Sequence, residues 1–155
     1  MARTLVVYFS RTGHVAKVAA EIAGSLGADL EKIESLTDFS GDAGYMKAAW
    51  EAFFRHSSPI RYSRDPADYD LVVVGSPTWT GTISSPVWSY LRANRGRMKS
   101  AAFFQSSRGP MKLALWYMER ASGTKPVATL MLRQDEIDKG AYKDKLEKFL
   151  AELKR

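Results

Sequence analysis

The chain has 155 residues, 45% hydrophobic and 26% charged, a globular composition that excludes a disordered chain. It contains no cysteine and two histidines, His14 and His56, which excludes a disulfide scaffold, a cysteine-ligated metal centre, a thiol nucleophile and a histidine-rich metal site. The 23 basic and 17 acidic residues leave a net charge of +6, so a polyanionic partner has to be considered.

Apolar runs of strand length alternate with helical patterns along the chain. Thr4 to Phe9 is continuous, β-branched and aromatic, and predicts a strand buried on both faces. Val15, Val18, Ala19, Ile22, Ala23 and Leu26 recur at helical spacing, and Gly27 supplies the stop. Asp29 to Glu34 alternates more loosely and predicts an outer strand. Tyr45, Met46, Ala49, Trp50, Phe53 and Phe54 form a second helical stripe, followed by a polar connection from His56 to Asp68.

Leu71 to Val74, ending at Gly75, is the clearest central strand. Pro86 suits the first turn of a helix carrying Val87, Tyr90 and Leu91. Ala101 to Phe104 predicts a strand, Leu113 to Ala121 a helix, Val127 to Leu132 a fifth strand, and Tyr142 to Leu153 a closing amphipathic helix. The six methionines and the helical Trp50, Trp88 and Trp116 read as packing residues. Five strands and five helices in strict alternation predict one α/β domain over residues 1–155. Its architecture is three-layer and doubly wound, with helices on both faces of a parallel sheet. No charged leader, cleavage site or membrane-length apolar run is present, so a cytoplasmic protein that does not enter a membrane is expected.

In such sheets ligands bind beyond the carboxyl ends of the strands, at the switch in strand order. That directs attention to three loops: Ser10 to Val15, Ser76 to Ser85, and Gln105 to Pro110. The first, Ser10-Arg11-Thr12-Gly13-His14-Val15, joins a strand to a helix start. Its hydroxyls, its glycine and the unpaired helical N–H groups suit a phosphate. It is neither a Walker loop nor a GxGxxG turn. An ordinary capped strand-to-helix turn would look similar.

With those loops in place, the chain resembles the flavodoxin family. Phe9-Ser10-Arg11-Thr12-Gly13 is similar to that family's phosphate loop, Ser/Thr-x-Thr-Gly-x-Thr. Gly75-Ser76-Pro77-Thr78-Trp79-Thr80-Gly81 resembles its second flavin loop, and Ala102-Phe103-Phe104 leads into a third, Ser106-Ser107-Arg108-Gly109. The resemblance covers nearly the whole chain, in order, and implies strand order 2-1-3-4-5 with bound FMN. By it, Ser10, Arg11, Thr12, Gly13, His14 and Val15 would surround the phosphate. Pro77, Thr78, Trp79, Thr80, Gly81, Ser106, Ser107, Arg108 and Gly109 would line the flavin, with Trp79 stacking on it and Arg108 favouring its reduced form.

Two departures are informative. Val15 stands where the family has a hydroxyl, so backbone N–H groups and Ser10 would carry the phosphate; Gly13-His14-Val15 is similar to the form in flavodoxin-like quinone reductases. The third loop lacks the aromatic of electron-carrier flavodoxins, which would leave one flavin face open.

The function implied is FMN-dependent electron transfer, with NAD(P)H as donor and a quinone or similar small molecule as acceptor. A non-enzymatic electron carrier serving a redox partner, and a flavin-free binding module, are the alternatives. No side chain is assigned a catalytic role, because the flavin carries the redox chemistry. The charge distribution bears on this choice. Between Leu71 and Met118 stand Arg92, Arg95, Arg97, Lys99, Arg108 and Lys112 without one acid, unlike the acidic rim of a carrier that docks on basic partners. The first four fall at the pole away from the loops. With no helix-turn-helix, RNP-type strand or basic–aromatic stripe, specific nucleic-acid binding is not expected.

Overall fold

A computed structural model describes residues 3–37, 41–44, 46, 50, 58–79, 81–109 and 113–154. The second helical stripe lies mostly outside them, as do His56, Thr80, Pro110 and Lys112. Two members of that stripe, Met46 and Trp50, are described and exposed, so Met46 is not the packing residue its type suggested.

The elements in chain order are β1 (Thr4–Tyr8), α1 (His14–Leu26), β2 (Asp29–Lys32), β3 (Glu34–Ser35), β4 (Ile60–Arg61), a 3₁₀ turn (Pro66–Asp68), β5 (Leu71–Trp79), β6 (Thr82–Ile83), α2 (Ser85–Ala93), β7 (Ala101–Ser107), α3 (Leu113–Ser122), β8 (Thr129–Arg133), α4 (Gln134–Lys139) and α5 (Lys143–Leu153). Strands β2-β1-β5-β7-β8 form one parallel sheet, in the expected order for five principal strands.

The continuous apolar runs have a simple cause. Leu5, Val7, Val72, Val74, Ala101 and Phe103 face one way, onto Val87, Tyr90 and Leu91 of α2 and Ala114 and Met118 of α3. Val6, Val73, Ala102 and Phe104 face the other way, onto Val15, Val18, Ala19 and Ile22 of α1 and Leu146, Phe149 and Leu150 of α5. Successive strand residues point to opposite faces, so a strand covered on both must be apolar at every position. Each fully buried Val, Leu or Phe contributes about 1.5–3 kcal/mol by leaving water. The edge strands β2 and β8 alternate instead, because part of each faces solvent.

Gly75 marks the tightest point of the sheet. A Cβ there would lie 2.1 Å from Cζ of Phe104, so that ring fills the space a side chain would need.

The structure departs from strict alternation in three ways. First, β5 and β7 run past their apolar cores: Ser76 to Trp79, and Gln105 to Ser107, continue the strands instead of forming loops. Pairing persists because Ser76 and Pro77 stay in register with Gln105 and Ser106, while β6 folds back on Thr78 and Trp79. Second, Glu34-Ser35 pairs with Ile60-Arg61 inside the polar connection. Third, a short helix, α4, precedes α5. Its start is fixed by the Glu136 carboxylate, which accepts from the Arg133 backbone N–H at 2.9 Å, and Gly140 ends it in the left-handed region.

Candidate functional site at the carboxyl ends of the strands

The first loop leaves β1 at Phe9, whose N–H donates to the Gly75 carbonyl at 3.2 Å, so Ser10 emerges beside Ser76. Gly13 sits at φ +98°, a conformation that glycine adopts freely and other residues resist. Its N–H donates to Ser10 Oγ at 3.0 Å, which folds the loop over the start of α1. Gly13 is the N-cap, and no side chain caps the helix, so the first-turn N–H groups face the loop. Thr12 is exposed. Val15 is buried to 1% exposure in the core, so only its backbone N–H can serve a ligand.

His14 opens α1 and is held at both ends. Its Nδ1 lies 2.8 Å from Thr12 Oγ1, and its Nε2 lies 2.9 Å from the Asp138 carboxylate on α4. Arg11 donates from Nη2 to the Gly41 carbonyl at 3.2 Å.

The second and third strand ends form the neighbouring wall. Ser76 Oγ donates to the Pro77 carbonyl, lies 3.1 Å from Ser84 Oγ and accepts from the Ser84 N–H. Thr78 donates to the Gln105 side-chain carbonyl at 3.0 Å. Trp79 is nearly buried and meets Phe9 edge to face, ring centres 5.6 Å apart. Gly81 lies in the turn to β6. Ser107 donates to the Gly109 carbonyl, and Arg108 is exposed beyond it. Ser106 is 2% exposed and its Oγ has no hydrogen-bond partner; Thr82 Oγ1 is likewise buried and unpaired. A buried hydroxyl without a partner costs roughly 1–3 kcal/mol; the Trp88 indole N–H and the Tyr90 hydroxyl on α2 are buried and unpaired as well.

The structure therefore brings Ser10, Thr12, Gly13, His14, Pro77, Thr78, Trp79, Ser106 and Ser107 to one end of the sheet. Thr80 lies outside the described residues. Sequence reading missed Asp138, which stands 124 positions from His14 with no local signal, and the cross-strand role of Gln105. Pro77, Thr78 and Trp79, and Ser106 and Ser107, expected in loops, lie on the ends of β5 and β7.

The basic cluster at the opposite pole is engaged with the protein itself. Arg95 donates to the Arg120 carbonyl and, at 3.2 Å, to that of Ala121, closing the end of α3. Arg97 pairs with Asp65 at 2.7 Å, and the Arg92 guanidinium lies 5.9 Å from the Trp88 ring centre. The Asp65 carboxyl is held below its usual range, chiefly by the Ala67 N–H and then by Arg97. On the α4 side, the Arg133 N–H and then Lys145 hold the Glu136 carboxyl down. Tyr142 is pushed up to about 12 by burial and by its bond to Glu21.

Among the described residues no three His, Asp or Glu side chains gather as a metal site, and no helix is long and apolar enough to cross a membrane.

No protein-family model matches the chain. Curated relatives include a protein named NAD(P)H dehydrogenase (quinone) from Cupriavidus metallidurans, 35% identical over 97 residues, covering 59% of this chain and 46% of that protein. Another of the same name from Caulobacter vibrioides is 32% identical over 103 residues, covering 62% and 48%. The chain thus spans about half the length of the curated relatives it matches. Among solved structures, a flavoprotein in complex with FMN from Lactobacillus acidophilus superposes with a TM-score of 0.73 at 23% identity, over 91% of this chain and 99% of that one. A short-chain flavodoxin associated with a non-canonical PDU bacterial microcompartment gives 0.57 at 16% identity, over 99% and 97%. The fold is flavodoxin-like.

Proposed function

We propose that this chain binds FMN at the carboxyl ends of β1, β5 and β7 and works as an oxidoreductase, passing electrons from NAD(P)H to a quinone or similar small acceptor. The observation that carries the reading is the pairing of two features at one end of the sheet. One is an uncapped helix start under a folded Ser10–Gly13 turn; the other is the buried, unpartnered hydroxyl of Ser106 across from it. The shared name of the curated relatives supports the choice of donor and acceptor.

The residues present fit the group. The Ser10 and Thr12 hydroxyls, with the first N–H groups of α1, suit a phosphate dianion, whose charge the helix dipole also favours. Ser106 Oγ supplies the hydrogen bond it lacks to a polar edge of the ring. Pro77, Thr78, Trp79, Gly81 and Ser107 form the wall against it, and Thr80 belongs to the same turn. Trp79, nearly buried and braced edge-on by Phe9, stands in that wall, where stacking on the ring would be worth about 0.5–1.5 kcal/mol beyond area burial. Arg108 and the Gly109 backbone close the third side, where a guanidinium stabilises negative charge on the ring. Bound flavin supplies the electron transfer itself. The protein's part is to hold the ring with one face reachable, since no aromatic follows β7 to cover it.

The test is steady-state oxidation of NADH or NADPH by FMN-loaded protein with benzoquinone. Turnover well above that of free FMN is expected; turnover equal to free FMN would defeat the assignment.

A further inference from the structure

We propose that His14, held by Asp138, is a positioning residue that decides whether Thr12 can donate to the phosphate, so that phosphate binding at this loop takes up a proton. The proposal rests on the flavin reading above. It begins with the two contacts of the ring: Nε2 at 2.9 Å from Asp138 Oδ1 and Nδ1 at 2.8 Å from Thr12 Oγ1.

An ionised carboxylate only accepts hydrogen bonds, so Nε2 carries the hydrogen. In neutral imidazole Nδ1 is then bare and accepts the Thr12 hydroxyl proton. Thr12 has nothing left to donate, and its lone pairs face the loop. When the ring takes a proton from solvent, Nδ1–H donates to Thr12 Oγ1, and the hydroxyl keeps its hydrogen but is free to turn it away from the ring. Thr12 can then donate to a phosphate oxygen, and a positive charge stands at the first residue of α1. Both changes favour a dianion. By linkage, the dianion favours the protonated ring to the same extent.

Five of the other charged groups nearby have contacts of their own. On α4, Asp135 pairs with Arg133 of β8, and Glu136 with Lys145 of α5. Lys139 closes α4. On α1, Lys17 lies 5.9 Å from the Tyr142 ring centre, and Glu21 is bound by Tyr142 and Lys143 of α5. Arg11 reaches Gly41. Lys32 ends β2, and Arg108 follows β7, two strands of the sheet that α1 covers. Among the described residues, Asp138 is the carboxylate within bonding distance of the ring, and α4 places it there.

The experiment measures FMN and riboflavin dissociation constants by flavin fluorescence from pH 5.5 to 8, for the wild type, His14→Gln and Asp138→Asn. The second ionisation of a phosphate monoester, near pH 6, affects all three alike, so the ratio of His14→Gln to wild type isolates the imidazole. That ratio for FMN is expected to be about tenfold at pH 5.5 and to fall below twofold at pH 8. For riboflavin, which has no phosphate, it should stay flat. In Asp138→Asn, which no longer fixes the hydrogen on Nε2, the pH dependence should weaken. Thr12→Val is an independent arm: it keeps the imidazole and removes the hydroxyl, and should leave a shallower pH dependence, the part the ring's charge carries alone, even if His14→Gln fails to fold; a profile as steep as the wild type's would overturn the role given to Thr12. FMN ratios that do not change with pH, with flavin still bound, overturn this proposal alone. A protein that takes up neither FMN nor riboflavin at any pH overturns the flavin reading and this proposal together.

Discussion

The two poles of the sheet use the same chemistry to opposite ends. At the amino end, Arg95 closes the last carbonyls of α3, Arg97 meets Asp65 and Arg92 leans on Trp88, so basic groups that look available in the sequence are tied into the fold. At the carboxyl end, the start of α1 is uncapped, Thr12 faces solvent, and Ser106 and Thr82 carry buried hydroxyls without partners. Satisfied donors such as those of Arg95 and Arg97 contribute stability, while between the poles the Trp88 indole N–H and the Tyr90 hydroxyl are also buried without partners. A pole with donors left over bears an energetic cost that a bound ligand would relieve. A net charge of +6 therefore describes the chain, but says little about where an anion would bind.

The largest effect is expected where both poles hang on the same backbone. Gly75→Val would drive a side chain into the Phe104 ring and should cost about 3 kcal/mol or more, lowering the urea midpoint and abolishing flavin uptake together. A midpoint close to wild type would show that Phe104 can move aside. Next, Ser10→Ala should weaken FMN binding about tenfold, with the melting temperature within roughly 2 °C of wild type, because the hydroxyl serves the carboxyl pole alone. Arg95→Ala should do the reverse: about 1 kcal/mol lost in denaturant unfolding, and the FMN dissociation constant unchanged.

Glu136→Gln is a pH-dependent case. The folded protein holds this carboxyl below its ordinary range, so its contribution is present above the unfolded glutamate value and is lost as pH falls through the lowered folded one. The variant should be about 1 kcal/mol less stable at pH 7 and no worse than wild type at strongly acid pH, as read from paired urea titrations. The smallest effect belongs to Arg97→Ala. Its partner and it are both about half exposed, so a loss of roughly 0.5 kcal/mol or less is expected, diminishing in high salt.

The same contrast explains what could be read from the sequence. Leu71 to Val74 and Thr4 to Phe9 announce themselves because a strand covered on both faces has no polar positions. The order of the strands and the three site segments followed from that alternation and from the likeness of residues 9–13 and 75–81 to known flavin loops. The ends of β5 and β7 were misjudged because Ser76 to Trp79 and Gln105 to Ser107 are polar or contain proline, and local propensity reads such residues as loop; cross-strand pairing decides otherwise. Helix α4 depends on a side-chain cap from Glu136 and one buried apolar residue, Ile137, too little for a periodic signal. The His14–Asp138 contact is a tertiary fact that no local pattern encodes.

The most direct test of the central claim is a calorimetric titration of the purified chain with FMN and with riboflavin. The account predicts one FMN per chain, bound at least tenfold more tightly than riboflavin because the first loop and the start of α1 hold the phosphate. Equal affinity for the two, or no uptake of either, would contradict it.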